Sequence, residues 1–504
     1  MSDAASLREL IARQSARYGQ HPYLLRLRSS DVVSFHDLDA IVDEWTSRLR
    51  ERSFRGGDRV GLLIRDPLQF ARTFLAMIAC GLWVAPLDPT MSPINVEVLN
   101  TQLRRLGVHA VFSDLERPGA ITANWYDVRT FTTPETTSAD PRPIDAGGVI
   151  LASSGTTGTP KVMALPTAQL LHTAALIATH NQLTPADRGL NPLPLWHINA
   201  EVVGLLASLV AGSSLVLDER FHRTDFWTLA NEYEVTWINA VPAIIARLSS
   251  VGDTEIIATR IRFIRSASAP LSPTVLEQFE SAVAIPVIES YGMTEAASQI
   301  SANPLDGERK PGSAGVPVGV ELRIAPFSQD ATDPSPPATP TTVGHVEIRG
   351  PSVIHKYENA GYEDRFSSDG WLRTGDLGYL DDDGYLYLVG RSDDVINRGG
   401  EKIFPREIED ALLGVEGVRG VAIVAQVHDV FGEVPTAYVQ LAEHCDHDSV
   451  LAQLRRVVTE GFPKTHWPVS FTVVAQLPAH ATGKIQKYRL ATEPLEVIST
   501  MDLT

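Results

Sequence analysis

Short runs of valine, isoleucine and leucine alternate along the chain with longer amphipathic or apolar segments. Runs of this kind at residues 59–64, 148–152 and 214–217 predict buried β-strands. The longer segments at 69–80 and 167–179 predict helices. Because strands that alternate with helices pair mostly in parallel, the pattern predicts an α/β fold built on parallel and mixed sheets.

The length of 504 residues predicts more than one hydrophobic core, and therefore at least two domains. The pattern changes near residue 390. A predicted strand at 385–389 precedes the change, and a helix at 405–413 and strands at 421–427 and 436–441 follow it. The last part of the chain is therefore predicted to form a small α+β unit of its own.

The chain is acidic, with 43 basic and 61 acidic residues and a net charge of −18. Because such a charge repels phosphate backbones and anionic lipid, we expect neither a nucleic-acid-binding protein nor a membrane-bound one. The longest apolar stretch, 74–87, is too short to span a bilayer. The cysteines, Cys80 and Cys445, lack the spacing of a metal site or a disulfide scaffold, which is typical of a reducing compartment. We therefore expect a cytoplasmic protein.

A loop rich in serine, threonine and glycine directly follows the predicted strand at 148–152. Its residues are Ser153, Ser154, Gly155, Thr156, Thr157, Gly158, Thr159, Pro160 and Lys161. Glycines let the backbone turn tightly and present N–H groups to an anion, and the hydroxyl groups add further donors. Lys161 adds a positive charge. The loop therefore predicts a phosphate-binding site, with a plain flexible connection as the alternative.

This loop resembles the phosphate loop of the acyl-adenylate-forming superfamily, which includes acyl-CoA synthetases, adenylation domains and luciferases. The superfamily's other motifs follow in the expected order, at 291–295 (YGMTE), 374–376 (TGD), 390–394 (GRSDD) and 482–484 (TGK). Within the superfamily the chain is most similar to the oxalate–CoA and coumarate–CoA ligases. The segments 262–266 (RFIRS) and 309–313 (RKPGS), together with Gln299, carry that closer likeness.

The resemblance implies that a carboxylate attacks the α-phosphorus of ATP and that pyrophosphate leaves. Because both reactants are anions, such catalysis depends on positioning and on neutralising charge. Glu295 is implied to hold Mg²⁺, a hard cation that prefers oxygen ligands. Thr294 and Lys484 are implied to contact the α-phosphate, and His197 and Glu201 complete the predicted catalytic set.

The nucleotide-binding residues are also implied by the resemblance. Thr156, Thr157 and Lys161 are implied to hold the β- and γ-phosphates, while Asp376 and Arg391 bind the ribose. The full predicted set comprises Ser153, Ser154, Gly155, Thr156, Thr157, Gly158, Lys161, Ala267, Ser268, Ala269, Ser290, Tyr291, Gly292, Met293, Asp376 and Arg391. Within it, Tyr291 is implied to stack on adenine opposite the loop 266–270.

The superfamily rotates its small C-terminal domain between the two half-reactions, and Asp393 lies where it places the hinge. The resemblance thus implies a large N-terminal adenylation domain, 1–391, of stacked mixed and parallel sheets with helices. A small mobile α+β domain, 392–504, follows and carries the catalytic lysine. Gly399 and Gly400 are implied to admit the acceptor close to the backbone, with a simple turn as the alternative.

The segment that precedes the acid site departs from the superfamily pattern. Relatives have Pro-Leu-Phe-His-x-x-Gly, whereas here Trp196 replaces Phe and Ala200 replaces Gly. Ser298 stands where oxalate ligases carry a histidine. Small residues nearby predict room for an acid larger than oxalate, such as an aromatic one; they are Ala240, Ala267, Ala269 and Ala297.

Glu201 lies where relatives have an apolar residue, so the sequence leaves three candidates for the acyl acceptor. CoA is the first choice and gives an acyl-CoA thioester. A carboxylate near the acyl site also suits deprotonation of an amine, which predicts an amide bond synthetase as the alternative. Loading of a separate carrier protein is the third candidate. The structural alternative for Glu201 is a glutamate at a helix start that faces the helix dipole or water. We expect a monomer or a homodimer.

Overall fold

The computed structural model describes residues 6–90, 95–131, 147–153, 160–249, 260–326, 342–479 and 485–503, without the side chains of Ser153 and Ala491. The helices of this part of the chain are α1 (Leu7–Tyr18), α2 (Phe35–Glu51), α3 (Pro67–Ala79), α4 (Val96–Leu106), α5 (Thr167–His180), α6 (Ala207–Ala211), α7 (Phe226–Glu232), α8 (Pro242–Leu248), α9 (Pro273–Val283), α10 (Pro405–Leu413), α11 (His447–Gly461) and α12 (Lys487–Thr492). None of these described helices has both the length and the apolar character needed to cross a membrane.

The strands of the first half of the chain are β1 (Pro22–Arg26), β2 (Val32–Ser34), β3 (Arg59–Leu63), β4 (Trp83–Pro86), β5 (Ala110–Ser113), β6 (Asn124–Asp127), β7 (Gly148–Ser153), β8 (Lys161–Pro166), β9 (Arg188–Asn191), β10 (Ser214–Leu217), β11 (Trp237–Ala240), β12 (Phe263–Ser266) and β13 (Val287–Tyr291). Those of the second half are β14 (Ser301–Ala302), β15 (Val316–Pro317), β16 (Glu321–Pro326), β17 (Gly344–Arg349), β18 (Leu372–Leu380), β19 (Leu386–Arg391), β20 (Ile396–Arg398), β21 (Glu401–Ile403), β22 (Val418–His428), β23 (Gly432–Leu441), β24 (Ser470–Val474) and β25 (Val497–Asp502).

Two large sheets form most of the N-terminal part. One has the strand order β15-β14-β13-β12-β11-β9-β10-β1-β2, and its centre, from β13 to β1, is parallel. The other has the order β6-β5-β3-β4-β7-β8 and is parallel except at β8. Helix α3 contacts strands of both sheets, so the main hydrophobic core lies between them.

Local sequence explains why α3 starts where it does. Asp66 accepts a hydrogen bond from the backbone N–H of Gln69, and Pro67 occupies the first helical position, where no backbone donor is needed. Every residue of α3 except Arg72 is buried, because strands β1 and β4 and helices α1 and α2 pack around it. Its apolar sequence therefore forms a core helix of the domain.

A third sheet, β16-β17-β18-β19, is antiparallel and joins the two large sheets to the C-terminal part. Strand β19 ends at Arg391, two residues beyond the predicted strand end, so the first residues of the GRSDD motif are extended. A single turn of 3₁₀ helix, Ser392–Asp394, follows directly. The fourth sheet, β20 to β25, has a hydrophobic core of its own around Ile423, Leu454 and Phe471.

Candidate active site

The predicted phosphate loop connects the antiparallel strands β7 and β8. Ser153 pairs with Lys161 in the register of these strands, so the loop closes a hairpin. Residues 154–159 lie outside the described residues, and Ser154, Gly155, Thr156, Thr157 and Gly158 with them. The Lys161 ammonium lies 5.6 Å from the ring centre of Tyr357 and 5.3 Å from that of Tyr362. Burial, followed by the positive charge of Arg365, lowers the pKa of Lys161.

Glu295, the predicted Mg²⁺ ligand, is buried on a 3₁₀ turn that spans Thr294–Ala296. Its Oε1 accepts a hydrogen bond of 2.9 Å from the Tyr357 hydroxyl. Burial, and next the nearby Glu295 carboxylate, raise the pKa of Tyr357. Tyr357 therefore stands between Glu295 and Lys161, although no sequence motif pointed to it. No cluster of three or more metal-ligating side chains exists in the described parts of the chain, and a single buried carboxylate suits Mg²⁺, which takes its other ligands from water and substrate phosphates.

The predicted ribose site brings together residues from three strands. Asp376 on β18 faces Arg391 on β19, and Oδ1 of Asp376 accepts from Nη1 of Arg391 at 3.0 Å. Oδ2 of Asp376 accepts from the hydroxyl of Tyr291 at 2.5 Å. Gly375 has φ +86, and a Cβ there would stand 2.5 Å from Nη2 of Arg365. The glycine of the TGD motif therefore leaves room for two guanidinium groups beside Asp376.

The loop that is predicted to line the adenine follows β12. Ser268 has φ +75, Ala267 is buried, and Ala269 is half-buried. Ser290 donates from its hydroxyl to the Ser266 carbonyl at 3.1 Å, which ties this loop to β13. Met293 is half-buried, in extended backbone.

Gly292 follows β13 directly. A Cβ at Gly292 would lie 1.6 Å from the carbonyl oxygen of Ser298, so only glycine fits there. Ala297 and Ser298 themselves have positive φ angles of 48° and 94°. The turn after the YGMTE motif is therefore tightly constrained.

His197 and Glu201 lie at the start of the segment after β9. His197 is half-buried, and the backbone N–H of Glu201 donates to its carbonyl. Glu201 belongs to a π-helix, Ala200–Leu206, that runs into α6. Glu201 lies in the first turn of this helix, as the helix-start alternative predicts, but its side chain is completely buried, so it does not face water.

The carboxyl of Glu201 has no hydrogen-bond partner for either oxygen within the described residues. Burial raises its pKa well above the ordinary value of 4.5. Burial therefore favours the uncharged form of this carboxyl over the charged form.

A buried polar layer runs across the nine-stranded sheet next to this segment; its members are Asn199, Asn239, Arg265 and Gln299. Nδ2 of Asn239 donates to Oδ1 of Asn199 at 2.9 Å, and Nδ2 of Asn199 donates to the Ser268 hydroxyl at 3.2 Å. Arg265 pairs with Asn239 in the β11–β12 register and donates to Oε1 of Gln299 at 2.6 Å. Burial lowers the pKa of Arg265 to about 9. In the sequence, Arg265 and Gln299 contributed only to the likeness to the oxalate–CoA and coumarate–CoA ligases, and no role was predicted for them.

The predicted hinge and acceptor loop lie after β19. Asp393 is exposed on the turn Ser392–Asp394. Gly399 and Gly400 are exposed, have φ angles of 61° and 94°, and connect β20 to β21. Two consecutive residues with positive φ form the tight turn of a two-residue hairpin. The two glycines therefore form a turn, and their role in admitting the acceptor stays a prediction. Lys484 lies outside the described residues.

Known proteins match this chain over most of its length. Residues 11–358 match the AMP-binding enzyme family, and residues 407–484 match the AMP-binding enzyme C-terminal domain. The chain is 36% identical to a sulfoacetate–CoA ligase of Cupriavidus necator, over 96% of this chain and 97% of that protein. It is 32% identical to an oxalate–CoA ligase of Arabidopsis thaliana, over 92% and 93%.

A solved structure is also similar over its whole length. It is the o-succinylbenzoate CoA synthetase of Bacillus subtilis with its acyl-adenylate intermediate, at a TM-score of 0.85 and 28% identity, over 97% of this chain and 98% of that one. The same enzyme in complex with ATP and a magnesium ion has a TM-score of 0.84. These likenesses confirm the predicted fold class of a large domain with mixed and parallel sheets and a smaller C-terminal domain.

Proposed function

This chain belongs to the AMP-binding enzyme family, and from that premise we propose that it is an ATP-dependent ligase that joins an organic acid to CoA. The relatives match this chain over nearly their full length, and they are named CoA ligases. They confirm the predicted class of AMP-forming acid–thiol ligase. ATP and Mg²⁺ are bound in the similar synthetase, as predicted for this chain, and CoA is the predicted acceptor.

The observation that carries this proposal is the ribose cluster. Asp376 receives hydrogen bonds from Tyr291 and Arg391, so three of the motifs, YGMTE, TGD and GRSDD, meet at one carboxylate. This arrangement fixes the position of the carboxylate that would accept hydrogen bonds from a ribose diol. The tyrosine ring stands beside it, where a purine attached to that ribose would stack.

In the proposed first half-reaction, a carboxylate oxygen of the acid attacks the α-phosphorus of ATP, a new O–P bond forms, and the bond to pyrophosphate breaks. Lys161 neutralises charge on the β- and γ-phosphates, and Mg²⁺ held by Glu295 would supply further charge neutralisation. Lys484 and Thr294 are assigned to the α-phosphate. The thiol of CoA then loses its proton and attacks the acyl carbonyl carbon, and AMP leaves.

The two-domain arrangement that we propose separates residues 1–391 from residues 392–504. The C-terminal sheet has its own hydrophobic core, and β19 ends at Arg391. Asp393, on the single turn that follows, is placed to change its backbone angles when the small domain rotates. In this proposal Lys484 and the Gly399–Gly400 turn take the catalytic position alternately, Lys484 for adenylation and the turn for transfer.

We propose that the protein works in the cytoplasm as a monomer or a homodimer. Both cysteines, Cys80 and Cys445, are free thiols, as is typical of a reducing compartment. Light scattering of the purified protein measures its oligomeric state, and a mass of about four chains would contradict the proposal.

The test of function uses pyrophosphate release from ATP and Mg²⁺ over a panel of organic acids. We expect release with at least one acid, and an acyl-CoA thioester by mass spectrometry once CoA is added. Lys484→Ala should reduce release about 100-fold or more, since it removes a charge from the transition state. The exposed Lys464→Ala is the matched control and should keep full activity. Absence of release with every acid would contradict the proposal.

Transfer to an amine is the second candidate, and the buried carboxyl of Glu201 favours it. Glu201 has no partner among the described residues and lies one turn after His197. An ammonium group bound beside it would favour loss of the carboxyl's own proton to solvent. The resulting carboxylate would then take a proton from that ammonium and leave a neutral amine to attack the acyl-AMP. With an amine in place of CoA, Glu201→Gln should lower amide formation about 100-fold, while pyrophosphate release in the presence of CoA stays within about threefold of wild type. Equal amide yields from both proteins would remove the base role.

A further inference from the structure

Arg265 is the most unusual side chain near the proposed acid site. It is 1% exposed, in the middle of the nine-stranded sheet, and no carboxylate is hydrogen-bonded to it within the described residues. Its Nη2 donates to the neutral amide of Gln299, whereas Nε and Nη1 have no partner in the part of the chain that the structure describes. A buried cation with unused donors is costly, because burial removes the water that would otherwise solvate it.

The layer around Arg265 has further unused polar atoms. Oδ1 of Asn239 and Nε2 of Gln299 both lack partners in the described part of the protein. Each of these residues does make a hydrogen bond with its other polar atom, so the layer is held in place while part of its capacity stays open. Buried polar atoms are usually satisfied, so a layer with several open atoms points to a ligand that completes it.

The layer lies beside the nucleotide site. Asn199 follows His197 by two residues and bonds to Ser268 in the loop assigned to adenine. Arg265 directly precedes Ser266 in the same loop region, and Gln299 follows Glu295 by four residues. Hydrogen bonds therefore join the layer both to the loop assigned to adenine and to the segment that carries His197 and Glu201.

We propose that the acid carries a second anionic group, a carboxylate or a sulfonate, at its far end, and that Arg265 and Gln299 bind this group. The inference rests on the proposed ligase function and narrows its substrate. A second anion would supply the charge that Arg265 lacks and accept hydrogen bonds from Nε, Nη1 and the Gln299 amide. The acids in the relatives' names, sulfoacetate and oxalate, each have two acidic groups. The buried alanines Ala240, Ala267 and Ala297 set no requirement for an apolar far end.

Glu201 does not serve as the missing partner of Arg265. Both of its oxygens are without a hydrogen-bond donor among the described residues, so no direct ion pair exists between them. If Arg265 had a purely structural role, its loss would reduce activity with all acids alike. If Arg265 binds the second anion, its loss would affect only the acids that carry one.

The experiment compares charged acids with neutral isosteres in pyrophosphate release. Sulfoacetate is paired with methylsulfonylacetate, and succinate with 4-oxopentanoate, so that each pair differs mainly in the far-end charge. Wild type should prefer the charged member of at least one pair by about 10- to 100-fold in kcat/KM, as a charge-assisted hydrogen bond implies. This comparison needs no variant.

Arg265→Gln should abolish that preference and leave the neutral isostere within about threefold. Arg265→Lys, which keeps the charge, should retain part of it. Arg262→Gln is the matched control, since Arg262 lies on the same segment but pairs with Asp187 near the surface. Preference for neutral acids, or an equal loss with both members of a pair, would overturn the inference while leaving the ligase function standing. No release with any acid would refute the ligase function itself.

Discussion

The nucleotide side and the acid side of the site differ in how far the protein satisfies its own polar groups. On the nucleotide side, Asp376 uses both oxygens and Glu295 uses one, each with a partner from a distant segment. On the acid side, Arg265 and Glu201 are completely buried and leave polar atoms unpaired within the described residues. The first region is organised before its ligand arrives, and the second needs its ligand to complete it.

This difference indicates that specificity for the acid resides on the acid side of the site. A group that is already hydrogen-bonded offers a fixed geometry to a ligand that does not change, such as ATP. A buried group with unused hydrogen-bond donors or acceptors discriminates strongly between ligands, because the wrong ligand leaves those atoms without a partner. We therefore expect substitutions on the nucleotide side to act on all substrates, and those on the acid side to act on some.

The largest effect should come from Asp376→Ala. The change removes the proposed ribose acceptor and also leaves Arg391 and Tyr291 without their shared partner. We expect kcat/KM for ATP to fall about 100-fold or more, equally for every acid that the enzyme accepts. Steady-state pyrophosphate release at varied ATP measures this.

The control for that prediction is Asp382→Ala. Asp382 is an exposed aspartate in the turn after the same strand, β18, and its loss should leave KM for ATP unchanged. An Asp376 defect that varies strongly from one acid to another would break the division between the two sides.

A smaller effect is expected from Tyr357→Phe. The phenyl ring keeps its position beside the Lys161 ammonium, but the hydroxyl that donates to Glu295 is lost. Because a partner of a metal ligand orients that ligand, the Mg²⁺ concentration for half-maximal rate should rise about 10-fold. Tyr387→Phe, on the stacked tyrosine pair of β18 and β19, is the control and should not shift it. An unchanged Mg²⁺ requirement would exclude Tyr357 from the metal site.

Local sequence patterns predicted the helices and strands well, but they did not predict contacts between residues that are far apart in the chain. The strand Ser214–Leu217 and the helix Pro405–Leu413 have the predicted bounds, because their apolar periodicity and flanking residues are local signals. The contact between Tyr357 and Glu295 joins residues 62 positions apart and depends on how the sheets pack. The open donors of Arg265 depend likewise on sheet register, which a single sequence does not reveal.

The smallest effect is expected from Glu201→Gln, a change on the acid side that alters the stability of the folded protein. The folded-state pKa of Glu201 lies above its ordinary value of 4.5, because burial disfavours the charged form. Its contribution to stability is therefore fully present below pH 4.5 and is lost as the pH rises towards the folded-state pKa. Glutamine has a similar shape and no proton to lose, so the variant should melt a few degrees above wild type at pH 8 and close to it at pH 5.

Above pH 4.5 the free-energy gap between the two proteins should widen by up to about 1.4 kcal/mol per pH unit. Calorimetry at pH 5, 6.5 and 8 measures the trend, and Glu277→Gln, an exposed glutamate on α9, should show none. A gap that stays constant with pH would mean that Glu201 is ionised in the folded protein and has found a positive partner. The acid side would then be organised in advance, as the nucleotide side is, and the contrast between the two regions would rest on Arg265 alone.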